Sequence, residues 1–196
     1  VNRKIENSSA EKQLVNRILQ GDKHGFGIII KNTEALVAQI VSRLVDHAAD
    51  RKDIAQDIYL KAYKNLQGFK FQAKLSTWIG QIAYNTCINH LERKKLVLPG
   101  GLYDKDEDTV YEGGTQVTEA EVYMGRKELS AILAAGIDKL PPVYKTLIVL
   151  YHQEELSYTD ITQVTGLPEG TVKNYLFRAR KMLRENILVI YKKEEL

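Results

Sequence analysis

Cysteine is almost missing from this 196-residue chain: Cys87 stands alone. A single thiol excludes an internal disulfide and suits a reducing compartment, so the expected address is the cytoplasm. Proline is scarce too, at four residues, which leaves room for long unbroken helices. No apolar run approaches the roughly eighteen residues that a membrane span needs, so no membrane insertion is expected. The opening VNRKIENSSAEKQ carries a little basic charge with no apolar stretch behind it, unlike a secretory signal. His24, His47, His90 and His152 are scattered without metal-ligand spacing, and no metal is expected. GLPEGTVK has the wrong glycine spacing for a phosphate-binding loop, and no nuclease-like carboxylate cluster occurs. Cys87 falls at the edge of an apolar helical stripe, a setting for a packed thiol rather than a nucleophile. These absences argue against an enzyme and imply neither a cofactor nor a small-molecule substrate.

What is present is helix and unevenly placed charge. Residues 1–98 hold 16 Lys+Arg against 9 Asp+Glu, a balance of +7, and residues 99–125 hold 1 against 7, a balance of −6. Residues 128–196 balance at 9 against 9, yet Lys173, Arg178, Arg180, Lys181 and Arg184 crowd a stretch without acid. Two basic surfaces flank an acidic stretch. That stretch, PGGLYDKDEDTVYEGGTQVTEAEVYMG, has paired glycines at both ends of its charged part and no sustained helical period. The reading is all-α: a helical domain over 1–97, a flexible acidic linker over 98–125, and a second helical domain over 126–196.

Punctuation parses the second domain. GRKELSAILAAGIDKL is a helix ended by Pro141-Pro142, and PPVYKTLIVLYHQEE opens the next with proline in the first turn. LSYTDITQVTG begins at Ser157 with Asp160 three positions on, a capping-box pattern. It stops at Gly166, suited to the left-handed conformation that leaves a helix. LPEGTVKNYLFRARKML follows with Pro168 and Glu169 at its start. A short helix, a glycine turn and a helix with a basic outer face form the outline of a helix-turn-helix.

On that last helix Val172, Leu176, Ala179 and Leu183 make one apolar stripe. Phe177 falls on the opposite side, with Asn174, Arg178 and Lys181. A helix lying in the major groove uses such a face: cations meet phosphates or guanine edges, Asn pairs with adenine, and an aromatic ring contacts a thymine methyl. In the first domain, DIAQDIYLKAYKNL places Ala55, Ile58, Tyr59, Ala62 and Leu66 in one arc with Ile54. Asp53, Gln56, Asp57, Leu60 and Lys61 lie opposite, a polar face with a small apolar anchor that fits a protein partner. FKFQAKLSTWIGQIAYN interleaves Phe69, Phe71, Trp78 and Tyr84 with Lys70 and Lys74, and rings beside cations hold unpaired bases at about 1–3 kcal/mol each. From Ser76 onward Ile79, Ile82, Ala83 and Thr86 form a core stripe, and Trp78, Gln81 and Asn85 form another.

LPPVYKTLIVLYHQEELSYTDITQVTGLPEGTVKNYLFRARKML resembles the DNA-binding region of the extracytoplasmic-function (ECF) sigma factors of bacterial RNA polymerase. DIAQDIYLKAYKNLQGF and LSTWIGQIAYNTCINHLERKK resemble that family's polymerase-binding and promoter-melting region. The resemblance implies two helical domains on a tether. They would bind core RNA polymerase, recognise two promoter elements as duplex and single-stranded DNA, and open the promoter. Duplex reading of the minus-thirty-five element would fall to Thr171, Lys173, Asn174, Phe177, Arg178 and Lys181. The melted minus-ten strand would meet Lys74, Ser76, Thr77, Trp78, Gln81, Asn85 and Arg93, with Lys94 and Lys95 against phosphates. The polymerase clamp would meet Asp53, Gln56, Asp57 and Leu60, and an anti-sigma protein covering both domains is implied as a further partner. Three departures stand out. DHAADRKDIAQD is more basic than the family's usual run. Tyr175 sits where a basic or small residue is usual, which implies a different upstream sequence. The tail ILVIYKKEEL is too short for a sensor domain. The competing reading is a helix-turn-helix regulator that binds duplex operators without polymerase; Trp78, Gln81 and Asn85 beside a basic aromatic segment argue against it, since a duplex reader needs no strand-separating surface.

Overall fold

The computed structural model describes the backbone of residues 2–96 and 126–194 and the side chains of residues 10–93 and 129–190. The acidic linker and the environments of Lys94 and Lys95 lie outside the described residues. Four helices precede the linker: α1 (Asn2–Leu19), α2 (Lys23–Leu44), α3 (Ala48–Asn65) and α4 (Leu75–Leu96), with a 3-10 turn at Leu66–Gly68. Four follow it: α5 (Arg126–Asp138), α6 (Pro142–His152), α7 (Tyr158–Thr165) and α8 (Glu169–Glu194). No strand occurs among the described residues.

Helix α2 is the spine of the first half. Ile29, Thr33, Leu36, Val37, Ile40, Val41 and Leu44 are buried at helical spacing. Buried Thr33 satisfies its hydroxyl by donating to the Ile29 carbonyl at 2.8 Å, and it lies 3.2 Å from the Tyr59 hydroxyl of α3. The helix starts where the Asp22 carboxylate accepts from the Gly25 N–H at 3.0 Å, held by Arg17 at 2.6 Å. Those two hydrogen bonds hold the Asp22 carboxyl below its ordinary value. Helix α3 buries Ile54, Ile58 and Ala62, the stripe its spacing predicts. In α4 Ile79, Ala83, Thr86 and Cys87 are buried and Ile82 is half-buried. Burial pushes the Cys87 thiol up to about 12, so it is a packed thiol.

The second half follows its punctuation. Pro141 and Pro142 open α6. At α7 the Ser157 hydroxyl accepts from the Asp160 N–H at 3.1 Å and the Asp160 carboxylate accepts from the Ser157 N–H at 3.4 Å, a reciprocal capping box. Gly166 ends the helix at φ +73°, a left-handed conformation costly for a residue with a Cβ. Val172, Leu176 and Ala179 of α8 are fully buried beside Leu147, Leu150 and Ile161.

The two halves are packed together, which tethered independent domains do not require. Helix α4 touches α2, α3 and α7, and α2 touches α6. One continuous buried cluster runs from Val15 to Ala179. Helix α6 explains part of this: Thr146, Leu147, Ile148, Val149 and Leu150 are all buried, and a helix apolar on every side must be covered on every side. The α8 side and the α2 side share that task.

The capping box generates a stability prediction. Ser157→Ala should cost about 0.5–2 kcal/mol and lower the melting temperature in calorimetry. An unchanged melting temperature would show that the cap contributes nothing.

Candidate nucleic-acid interface

Helix α8 has two sides with separate tasks. Val172, Leu176 and Ala179 of its apolar stripe are buried and Leu183 is half-buried, and the residues predicted to read duplex DNA stay accessible: Lys173 and Lys181 are exposed, while Thr171, Asn174, Phe177 and Arg178 are half-buried. Phe177 lies outside the packed core, so its ring is available to an apolar group such as a thymine methyl. Tyr175 behaves differently. Its ring packs on Tyr144 of α6 at 5.3 Å between centroids, and it belongs to the support of the helix. The Tyr175 ring thus faces α6.

Lys173 is partly engaged within its own helix. Its ammonium lies 2.7 Å from the Glu169 carboxylate one turn earlier and 5.4 Å above the Tyr158 ring. The hydrogen bond and charge of Glu169 raise its ionisation above the ordinary value. Tyr158 stacks on Tyr151 at 5.0 Å and 17°, and their shared hydrogen bond pushes Tyr151 up. This aromatic ledge, with Lys173 above it, escaped the sequence reading. Its rings come from α6 and α7 and meet only through the turn between them.

The surface around the start of α4 is more crowded than its pattern suggested. Lys74, Gln81, Asn85 and Arg93 are exposed, and Ser76 and Trp78 are half-buried. The Trp78 ring leans on Phe69 at 5.2 Å, and Phe69 on Phe71 at 4.7 Å. Phe69 is buried, and Phe71 is held at φ +55° in the loop before α4, a strained conformation for an aromatic residue. The packed Phe69–Phe71 pair thus sets the position of Trp78. Thr77 is the exception among the predicted strand contacts. It is only 1% exposed, and its hydroxyl donates to Asp160 of α7 at 3.5 Å. In this arrangement Thr77 faces another helix and is closed to a DNA strand.

On α3 the predicted partner face is intact. Asp53, Gln56, Asp57 and Leu60 are all exposed, and Leu60 is 51% exposed. Lys61 bridges Asp57 at 2.7 Å and lies 3.3 Å from Thr86 of α4, which ties the face to the helix beneath it. The described residues contain no group of three or more His, Cys, Asp or Glu side chains able to hold a metal. No described helix is long and apolar enough to cross a membrane.

Comparison with known proteins matches both halves. Residues 29–97 match the family Sigma-70 region 2, and residues 130–183 match Sigma-70, region 4. The chain is 32% identical over 180 residues to the ECF RNA polymerase sigma-E factor of Haemophilus influenzae, covering 90% of this chain and 95% of that one. It is 31% identical over 182 residues to the ECF RNA polymerase sigma factor SigW of Bacillus subtilis, covering 90% and 96%. Among solved structures it is similar to CnrH in complex with the cytosolic domain of CnrY, at 20% identity, TM-score 0.61 and coverage of 90% and 96%. It is equally similar to RpoE of Bartonella quintana in complex with the anti-sigma factor NepR, at 20% identity, TM-score 0.61 and coverage of 84% and 97%. At those identities the structural likeness speaks for the fold.

Neighbouring residues on α8 should separate its two sides. Leu176→Ala, at a fully buried position, should cost about 2–5 kcal/mol. Phe177→Ala should leave stability within about 1 kcal/mol. Urea unfolding of both variants measures the contrast, and similar losses would mean that Phe177 is a packing residue.

Proposed function

The chain belongs to the ECF RNA polymerase sigma factors, which direct polymerase to promoters, and from that premise we propose which residues carry each step. Region 2 occupies 1–97 and region 4 occupies 126–196, with the acidic tether over 98–125; the two matched stretches fall inside these bounds. Core polymerase docks on α3 through Asp53, Gln56, Asp57 and Leu60. An exposed leucine amid carboxylates and an amide is a small apolar anchor inside a polar rim.

Helix α8 reads the upstream element as duplex. Arg178 and Asn174 carry donors and acceptors suited to purine edges, Phe177 offers an apolar contact, and Thr171, Lys173 and Lys181 hold the backbone. The observation that supports this most is the one-sided burial of α8. Its apolar stripe is locked down while every proposed reading residue keeps an accessible surface. Lys173 must exchange Glu169 for phosphate as it docks, so part of its binding energy is lost in that exchange.

The melted minus-ten strand runs along the start of α4. Trp78, braced by Phe69, stacks against the edge of the remaining duplex, and Gln81 and Asn85 one and two turns on accept an unstacked base. Lys74, Ser76 and Arg93 contact the sugar-phosphate chain, and Thr77 joins them once α7 is displaced. An anti-sigma protein is a further proposed partner of this chain, supported by the fold it shares with RpoE, solved with NepR.

Transcription of a genomic promoter library by the chain with core polymerase tests the whole reading; no transcript from any promoter would overturn it. Within it, Arg178→Ala should change base preference at the upstream element. Lys181→Ala should weaken all duplexes alike and reduce the salt slope of binding by about 1. Fluorescence anisotropy on matched and scrambled duplexes separates the two, and equal losses for Arg178→Ala would remove its base-reading role. Trp78→Ala should keep polymerase binding while slowing promoter opening, followed by permanganate reactivity of unpaired thymines. Opening at the wild-type rate would remove the wedge assignment.

A further inference from the structure

The helix that carries Trp78 begins without a cap of its own. The Trp78 N–H donates to the Lys74 carbonyl at 3.1 Å, the first bond of α4, which puts Lys74 at the N-cap. A lysine side chain has no acceptor, so it cannot do for α4 what Ser157 does for α7 or Asp22 for α2. The acceptor comes instead from 64 positions away: the Glu11 carboxylate of α1 accepts from the Leu75 N–H at 3.4 Å. A carboxylate there also faces the positive end of the helix dipole.

The next residue of α1 holds the same loop at a second point. The Lys12 ammonium lies 5.7 Å from the centre of the Phe71 ring, within cation–π range. Phe71 stands at φ +55°, a conformation that persists only where its surroundings enforce it. Phe71 leans on Phe69, and Phe69 on Trp78. Two adjacent residues of α1 thus hold the backbone entering α4 and the far end of its ring stack. Helix α1 is itself anchored. Val15 and Ile18 are buried, and a Cβ at Gly25 of α2 would stand 2.8 Å from the Ile18 side chain, so α1 lies tight against α2. Arg17 on Asp22 at 2.6 Å ties the turn between them. Glu11 and Lys12 precede the stretch that matches Sigma-70 region 2, which begins at residue 29.

We propose that Glu11 and Lys12 are positioning residues for promoter opening, which act through Trp78 without touching DNA. The inference rests on the wedge role given to Trp78 above. Glu11 fixes the first turn of α4, and Lys12 keeps Phe71 against the ring stack. A ring already held in place has less freedom to lose on meeting a base pair than one that must first find its position.

Trp78 is the single tryptophan of the chain, so its emission reports the brace directly. In the full chain, Glu11→Ala and Lys12→Gln should each shift that emission to longer wavelength and increase its quenching by acrylamide. Both should bind core polymerase as the native chain does. Glu11→Ala should slow permanganate-detected opening about 3- to 10-fold, the rate equivalent of a lost helix cap. Lys12→Gln should slow it about 2- to 5-fold, the equivalent of one exposed cation–π contact. Lys12→Arg keeps a cation over Phe71 and should restore both the emission and the rate. Thr33→Val removes a buried hydroxyl bond of α2 and should change neither, which separates the brace from general loss of stability. Native emission in both α1 variants would overturn the inference. So would slow opening with native emission in Lys12→Gln, since Lys12 would then act on DNA itself, or an equal loss in Thr33→Val. If Trp78→Ala opens slowly while both α1 variants open normally, the positioning role falls and the wedge stands. If Trp78→Ala opens at the native rate, the wedge falls and takes this inference with it.

Discussion

The burial of Val172, Leu176 and Ala179 against Leu147, Leu150 and Ile161 is the contact on which the DNA-reading half depends. A helix of α8's length has more than enough backbone hydrogen bonds to hold its shape, but shape alone does not aim it. The stripe fixes its rotation about its own axis, and rotation decides which residues meet a groove. Gly166, in the left-handed region, lets the chain leave α7 and enter α8 within a few residues. Tyr175 on Tyr144 adds a bearing surface at the edge of the stripe. With those three constraints satisfied, Asn174, Phe177, Arg178 and Lys181 keep accessible surface on the side away from the buried stripe.

Helix α4 faces a harder problem, because three neighbours compete for its surface. One stripe, Ile79, Ala83, Thr86 and Cys87, closes the core of the first half. A second, Thr77 and Gly80, accepts α7. What is left accessible is Trp78, half-buried, with Gln81 and Asn85 exposed beyond it. The small side chains at 77 and 80 reconcile the demands. They allow α7 to approach closely. A leucine at position 80 would drive into Val164 of α7, since even a Cβ there would stand 3.2 Å from that side chain. The strained Phe71 and the packed Phe69 hold Trp78 from beneath.

Charge acts on a different length scale. The excess of cations in residues 1–98 and the cluster over 173–184 are set apart in the sequence by an acidic stretch, and charge concentrated in this way acts beyond contact distance. At contact the bookkeeping is local. Lys173 already has Glu169, and Lys61 already has Asp57, so neither is a free charge waiting for phosphate. Exposed pairs of this sort are individually weak.

Much of this was legible in the residues. Helices, caps and the stripes of α3 and α8 depend on neighbours three or four positions apart, and that information is local. Ser157 with Asp160, Pro142 and Gly166 marked their boundaries for the same reason. The exposed face of α3 followed directly from its buried one. Thr77 and Tyr175 could not be placed this way. Each sits at the margin of an apolar stripe, where a small rotation, or a neighbour brought in by another part of the chain, decides between core and surface. The aromatic ledge of Tyr151 and Tyr158 needed the turn after α6 to bring its two rings together. The packing of α4 on α7 joins residues some eighty positions apart, and apolar surfaces carry no address in their composition. The chain alone therefore determined its helices, its division of labour and the sides they present. Tertiary packing decided which of those sides are occupied by another part of the same molecule, because burial depends on what else is present in space.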